Sequence, residues 1–290
     1  MKLALGTAQF GLAYGVANAG GQIKTDAAIK ILARAREAGI DMLDTAIAYG
    51  ESEQRLGDAG VNDWQIVSKL PAIPDGCDNV NAWVKRKVDE SLARLKVSYL
   101  CGLLLHRPSQ LLDKNGQEIY KALLELKDAG KVRKIGVSIY DPSELNELCA
   151  QYVFDVVQAP FNVFDRRLAY TGWLSRLHAE GVEIHVRSVF LQGLLLVATE
   201  SSPVGFEDWE YLWASWKNWI VNADSNPLQA ALGHVMSYPE ITKIIVGVDS
   251  LNQLNEILFY DRFQKTRAPE VLSTVDINLL DPWRWSRPNK

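Results

Sequence analysis

The chain has 290 residues, 48% of them hydrophobic and 23% charged, with a formal net charge of -4. That supplies one large core, and without a basic excess nucleic acid is excluded as an expected partner. No apolar run approaches the roughly 20 residues that span a bilayer, and the N-terminal run meets Gly6 too early for the apolar part of a signal peptide, so no membrane partner and a cytoplasmic protein are expected.

The first strand-like run covers 3–8. A helical stretch follows, with Ala28, Ile31, Leu32, Ala35 and Ala38 on one face, opened by Thr25-Asp26 and closed by Gly39. A short apolar run at 41–44 ends in Asp44, and Tyr49 stands five positions on. The run at 65–70 carries Lys69 near its end and the run at 99–106 closes with His106, with a helix face through Val84, Val88, Leu92 and Leu95 between them. A further face through Ile119, Ala122, Leu123 and Leu126 stops before Gly130, and apolar runs at 134–138, 154–159, 182–187 and 242–248 bring the strands to eight. Several are continuous apolar runs, as in parallel strands covered on both faces.

Strand and helix alternating in this way predict an α/β fold, a (β/α)8 TIM barrel in a single domain over 1–290, with its core at about 3–260 and a C-terminal tail at 261–290. The structural rival, a doubly wound open sheet, lacks its Gly-x-Gly-x-x-Gly after the first strand. A Trp-rich insertion at 207–221, between strands 7 and 8, places Trp209, Trp213, Trp216 and Trp219 on one helical face. Packing against the barrel wall is the expected role of that stripe. The alternative is that one indole, with Tyr14, Trp283 or Trp285, lines a substrate pocket.

A carboxylate closing an apolar strand is costly unless a cation meets it. In a parallel barrel the carboxyl ends of consecutive strands lie side by side, so Asp44, Tyr49, Lys69 and His106 are expected to converge. Asp44 and Lys69 alone are equally readable as a structural ion pair. With Tyr49 beside them, the Lys69 charge is expected to draw the phenol below its usual pKa near ~10 and make it a general acid. Asp44 would hold Lys69, and His106 would donate to a carbonyl oxygen. None of the four supplies electrons, so a hydride-carrying cofactor is implied. His178, His185 and His234 neither pair at ligand spacings nor join strand-end carboxylates, and are read as packing or surface residues with no metal site. Cys77, Cys101 and Cys149, odd in number and far apart, suit reduced thiols.

These four residues, with Asp44-Thr45-Ala46, Tyr49-Gly50, Ser52-Glu53 and Leu56-Gly57, closely resemble the aldo-keto reductase family. The resemblance runs from Gly6-Thr7-Ala8-Gln9-Phe10-Gly11 to Glu256. It implies reversible NAD(P)H-dependent reduction of an aldehyde or ketone, a small-molecule carbonyl substrate, and Tyr49 as proton donor. It also implies that Ser138 and Gln158 hold the nicotinamide amide and that Arg187 stacks on the ring. By the same likeness Gln192, Gly193 and Leu194 approach the pyrophosphate, while Gly247, Asp249, Ser250, Gln253 and Glu256 surround the adenosine. From its residue type alone, Arg187 is equally readable as a bridge to neighbouring carboxylates.

Four positions depart from the family pattern. Ile139 replaces an asparagine that reaches the nicotinamide amide, and Ile257 one that contacts adenine. Asp249 and Gln253 stand where users of NADP carry basic residues. A carboxylate at 249 repels a 2′-phosphate and suits a ribose hydroxyl, so the cofactor is NADP or NAD, with NADH expected to work at least comparably well. The rival from another class is a cofactor-binding redox sensor or scaffold with little turnover, against which the intact tetrad argues. No heptad seam or other self-pairing signal bears on oligomeric state.

Overall fold

Eight apolar runs become eight parallel strands: β1 Leu3–Gly6, β2 Met42–Asp44, β3 Gln65–Leu70, β4 Leu100–Leu105, β5 Val132–Ser138, β6 Val156–Pro160, β7 Glu183–Arg187 and β8 Lys243–Gly247. The computed structural model describes residues 1–16, 18, 20–197, 203–260 and 265–285, so 261–264 and 286–290 of the expected tail lie outside the described residues. Each strand pairs with the next, and β8 pairs with β1 from Leu3↔Ile244 to Gly6↔Gly247. That last pairing closes the barrel, whereas an open doubly wound sheet keeps two free edges.

Strand limits differ from the sequence reading by a residue or two, as hydrogen bonding at element ends usually dictates. β1 stops at Gly6 because the chain turns at once into the short helix Ala8–Gly11. His106 falls one residue beyond β4. The helix Thr25–Glu37 buries Ala28, Ile31, Leu32 and Ala35 as its spacing predicts, and Gly39 follows at φ +86, a left-handed position that glycine takes without a Cβ penalty. Thr25 itself lies inside the first turn and does not cap it.

Two cores result. The larger lies between the strands and the outer helices. The smaller fills the barrel interior with Ala4, Met42, Val67, Leu104, Val156 and Ile245. Side chains two positions apart on a strand share a face. The residues two further on from this interior layer are Gly6, Asp44, Lys69, His106, Gln158 and Gly247. The period-two pattern that builds the interior thus carries the polar groups one layer up, to the carboxyl-end mouth.

The tryptophan stripe forms part of the helix Glu210–Asn222, with Trp213 and Trp216 buried. The Trp213 ring lies 4.9 Å from Phe164, and the Trp216 indole donates to the Leu195 carbonyl at 3.2 Å. Trp209 donates to Asp276 Oδ2 in the tail at 2.9 Å. Packing is therefore the role of the stripe. Arg166 pins the tail by donating to the Ala268 and Pro269 carbonyls at 3.0 and 2.8 Å.

Candidate active site

Lys69 and Asp44 meet in the barrel mouth, 1% and 4% exposed. Lys69 Nζ donates to Asp44 Oδ1 at 2.6 Å and to the Thr45 carbonyl at 2.8 Å. The other Asp44 oxygen accepts from Gln158 Nε2 at 2.7 Å, and Ser138 Oγ donates to Gln158 Oε1 at 3.2 Å. A buried carboxylate is thereby met on both oxygens, which offsets its desolvation. Ser138 and Gln158 are buried beside this pair, part of its support.

Tyr49 lies above them on the loop after β2. Lys69 Nζ stands 5.1 Å from the centre of its ring, and the His106 ring meets it edge-on at 5.9 Å. The four residues singled out in the sequence therefore share one place. What holds the loop was not foreseen. A Cβ added at Gly11 would come within 1.7 Å of the Tyr49 carbonyl oxygen, so the bare glycine backbone is what lets the two loops touch. Thr7 Oγ1 donates to the Asp44 carbonyl at 3.0 Å, and Ser52 Oγ to the Thr7 carbonyl at 2.9 Å. The signal was present in Gly6-Thr7-Ala8-Gln9-Phe10-Gly11, but only the contact between loops gives it meaning.

Electrostatics set the charge balance around the phenol. Burial raises the Tyr49 pKa well above its ordinary value, the Asp44 charge adds to that rise, and Arg187 is the cation that pulls it back. The Lys69 charge is largely cancelled by Asp44 2.6 Å away, so to Tyr49 the pair acts as a dipole. Burial also draws the Lys69 ammonium down, with Asp44 opposing. His106 falls to about 4, first through burial and then through the Lys69 and Arg187 charges. Its imidazole is neutral near pH 7, the form that donates from one nitrogen only.

A cavity of about 560 Å³ runs from Tyr49 and Arg187, past Ser188, Phe190, Gln192 and Gly193, to Gly247, Asp249, Gln253, Glu256 and Ile257. This volume lies in the range of small-molecule and cofactor sites, ~300–1,000 Å³. Its floor suits close approach of a ligand to backbone: Gln192 and Gly193 have φ of 53 and 93. Asp249 Oδ1 is buried and, among the described residues, has no hydrogen-bond partner, while its residue lines this cavity, so that oxygen is an acceptor left for a ligand hydroxyl. Burial raises the pKa of that carboxyl. These residues fit a dinucleotide.

Not every expected residue lines the groove by its side chain. Leu194 is buried in the core, and Ser250 Oγ accepts the Gln253 N–H at 3.2 Å at the start of the helix Leu251–Tyr260. Asn226, Pro227 and Leu228 line the cavity and escaped sequence reasoning. They begin the helix Pro227–Met236, capped by reciprocal bonds between Asn226 and Gln229, and turn its N-terminal end to the groove. That end favours an anion. Asn226-Pro227 followed by Gln229 is a capping signature that the sequence does display. Tyr14 lines the cavity and receives a long bond of 3.5 Å from Gln192 Nε2, whereas Trp283 is 62% exposed and Trp285 packs on Phe206 at 5.0 Å.

A closed parallel barrel with a buried Lys–Asp pair under a tyrosine, opening on a dinucleotide-sized groove, defines a class of nicotinamide-dependent barrel enzymes. A model of the aldo/keto reductase family matches residues 2–276, and the chain belongs to that family of NAD(P)-dependent oxidoreductases acting on carbonyl groups. It is 28% identical over 250 residues to the oxidoreductase YqkF of Bacillus subtilis, covering 79% of this chain and 80% of that one. To the L-galactose dehydrogenase of Arabidopsis thaliana it is 28% identical over 262 residues, 81% of this chain and 78% of the relative. Its fold matches an aldo-keto reductase of Bacillus halodurans in the holo form, with a TM-score of 0.73, 22% identity, and 93% and 89% of the two chains covered.

Proposed function

We propose that the protein reduces an aldehyde or ketone to the alcohol, reversibly, with Tyr49 as proton donor in reduction and acceptor in oxidation. The observation that carries this reading is the buried Lys69–Asp44 pair beneath Tyr49 at the end of the cavity that continues to Asp249. A bound nicotinamide nucleotide supplies the hydride. Asp44 and Lys69 fix the floor on which Tyr49 sits, and neutral His106 orients the carbonyl oxygen by donating to it. Gln192 and Gly193 offer backbone to the pyrophosphate, and Asp249 accepts from a ribose hydroxyl. Ser138 and Gln158 would hold the carboxamide, and Arg187 would stack on the ring.

The relatives include an L-galactose dehydrogenase, and a small polyol or sugar aldehyde fits the polar mouth formed by Tyr14, Tyr49, His106 and Tyr140. The chain acts as one unit in the cytoplasm. Replacing Tyr49 by Phe should abolish steady-state carbonyl reduction and leave nucleotide binding intact. A Y49F enzyme as fast as the parent removes the proton-donor role. A parent protein that binds nucleotide and turns over no aldehyde would point to the sensor instead.

The nucleotide is NADH at least as readily as NADPH. Asp249 places a carboxylate at the adenosine end, and Glu256 adds a second nearby in the lining. A 2′-phosphate meets repulsion there. Paired kinetics with the two nucleotides test this, and a strong preference for NADPH overturns it.

A further inference from the structure

Among the described residues Arg187 carries a charge that no carboxylate neutralises. Its guanidinium donates to the Ile139 carbonyl at 3.0 Å and to Ser188 Oγ at 3.3 Å, and its carbon lies 4.5 Å from the centre of the Tyr140 ring. Among the described residues no carboxylate pairs with it. The bridge to a neighbouring acid that its residue type allowed is absent from that set, and the arginine lines the same cavity wall as Tyr49 and Asp44.

The other formal charges near Tyr49 sum to zero, although Asp44 still raises the phenol's pKa and Lys69 still lowers that of His106. From β2 comes Asp44 and from β3 Lys69, locked together at 2.6 Å. From the loop after β1 comes Tyr14, its phenol raised by burial, from the end of β4 His106, lowered by burial, and from the loop after β5 Tyr140. The field of a close ion pair falls off faster with distance than that of a single charge. What is left over is the guanidinium on β7.

We propose that Arg187 acts on Tyr49 through its charge, as the net cation of the site, and that its planar stacking is the lesser part of its role. This rests on the reading of Tyr49 as the acid-base group. In alcohol oxidation the phenolate accepts the hydroxyl proton, and in reduction the phenol returns it. A cation nearby favours the phenolate in the first and keeps the phenol a usable acid in the second. The electrostatics agree: Arg187 opposes the rise of the Tyr49 pKa and helps depress that of His106.

Three substitutions separate charge from plane. Arg187→Lys keeps the charge, Arg187→Tyr keeps a plane, and Arg187→Gln keeps neither. Two readouts apply. The first is NMR titration of His106 without added nucleotide, assigned by its loss in His106→Gln; the midpoint should rise above about 4 in R187Q and R187Y, with burial and Lys69 still holding it below 6.5, and stay low in R187K. The second is kcat/KM for alcohol oxidation against pH, expected to drop roughly three- to tenfold in R187Q and R187Y, since one pKa unit moves the phenolate fraction tenfold and a stronger base returns part of it. R187K should recover most of that rate.

The proposal is overturned if the His106 titration is unmoved in R187Q. It is equally overturned if R187Y matches the parent while R187K alone loses rate and nucleotide affinity. Full activity in Tyr49→Phe would sink the underlying reading instead, and would leave the His106 titration as an independent measure of the Arg187 charge.

Discussion

The two mouths of the barrel each hold a lysine–carboxylate pair, and the pairs do different things. At the carboxyl end, Lys69 and Asp44 are 2.6 Å apart with side chains 1% and 6% exposed. At the amino end, Lys134 and Glu183 are 2.5 Å apart with side chains 34% and 29% exposed. Each has a histidine close by: His106 above the first, and His185, whose Nε2 lies 3.5 Å from Glu183 Oε2, beside the second. Contact distance does not distinguish them. Water does, because an ion pair that solvent reaches gains ~0–1 kcal/mol, whereas breaking a dry one strands a charge at a cost of ~3–5 kcal/mol.

Lys69→Met should widen that contrast most. It leaves Asp44 buried with Gln158 as its one side-chain donor among the described residues, so denaturant unfolding should report a loss of ~3–5 kcal/mol, together with loss of carbonyl reduction. Lys134→Met should cost about 1 kcal/mol or less and leave turnover as it was. Equal losses in the two variants would erase the distinction between the mouths.

Glycines give a second, smaller comparison. Gly11→Ala drives a methyl into the Tyr49 carbonyl, so stability should fall by ~1–3 kcal/mol and kcat by as much as ~10²-fold as the phenol is displaced. Gly39, before β2 at the opposite mouth, has φ +86 and open space around it. Its alanine variant should cost ~1–2 kcal/mol of backbone strain and nothing in kcat. Stopped-flow rates beside melting curves would separate the two, and an unimpaired kcat in G11A would deny that loop its positioning role.

The smallest effects concern pH. The His185 neighbour, and Lys134 after it, hold Glu183 at about 2 against burial. A depressed carboxylate stabilises the fold above its ordinary 4.5 and loses that contribution as pH falls toward 2. Glu183→Gln should flatten this acid limb of the stability curve. His106 works in a different window: with its pKa lowered to about 4, the fold loses stability as pH falls from 6.5 to 4, where the unfolded chain takes a proton that the native site resists. His106→Gln should remove that loss. An acid limb unchanged in both variants would mean that neither mouth is electrostatically special.

Much of the site was legible because strand periodicity is simple. Asp44, Lys69, His106 and Gln158 each stand two residues beyond an interior apolar residue, and closing the barrel sets them side by side. The balance of charge was not legible. Gln158 meets Asp44 across 114 positions of sequence, and Gly11 meets Tyr49 across two loops. How far Lys69 tunes the phenol was not legible for the same reason: nothing in the order of residues says how much of its charge Asp44 consumes.

The sequence by itself determined the barrel, its eight strands and the row of polar residues at their carboxyl ends, since these follow from local patterns of apolar spacing repeated along the chain. Only the tertiary structure decided which of those charges, among the described residues, remains uncompensated, which carboxylate lining the cavity keeps an unpartnered oxygen there, and which lysine pair is dry. Those outcomes depend on burial and on distances between strands, because Coulomb energy is governed by separation and by the exclusion of water, and neither is a property of any one segment.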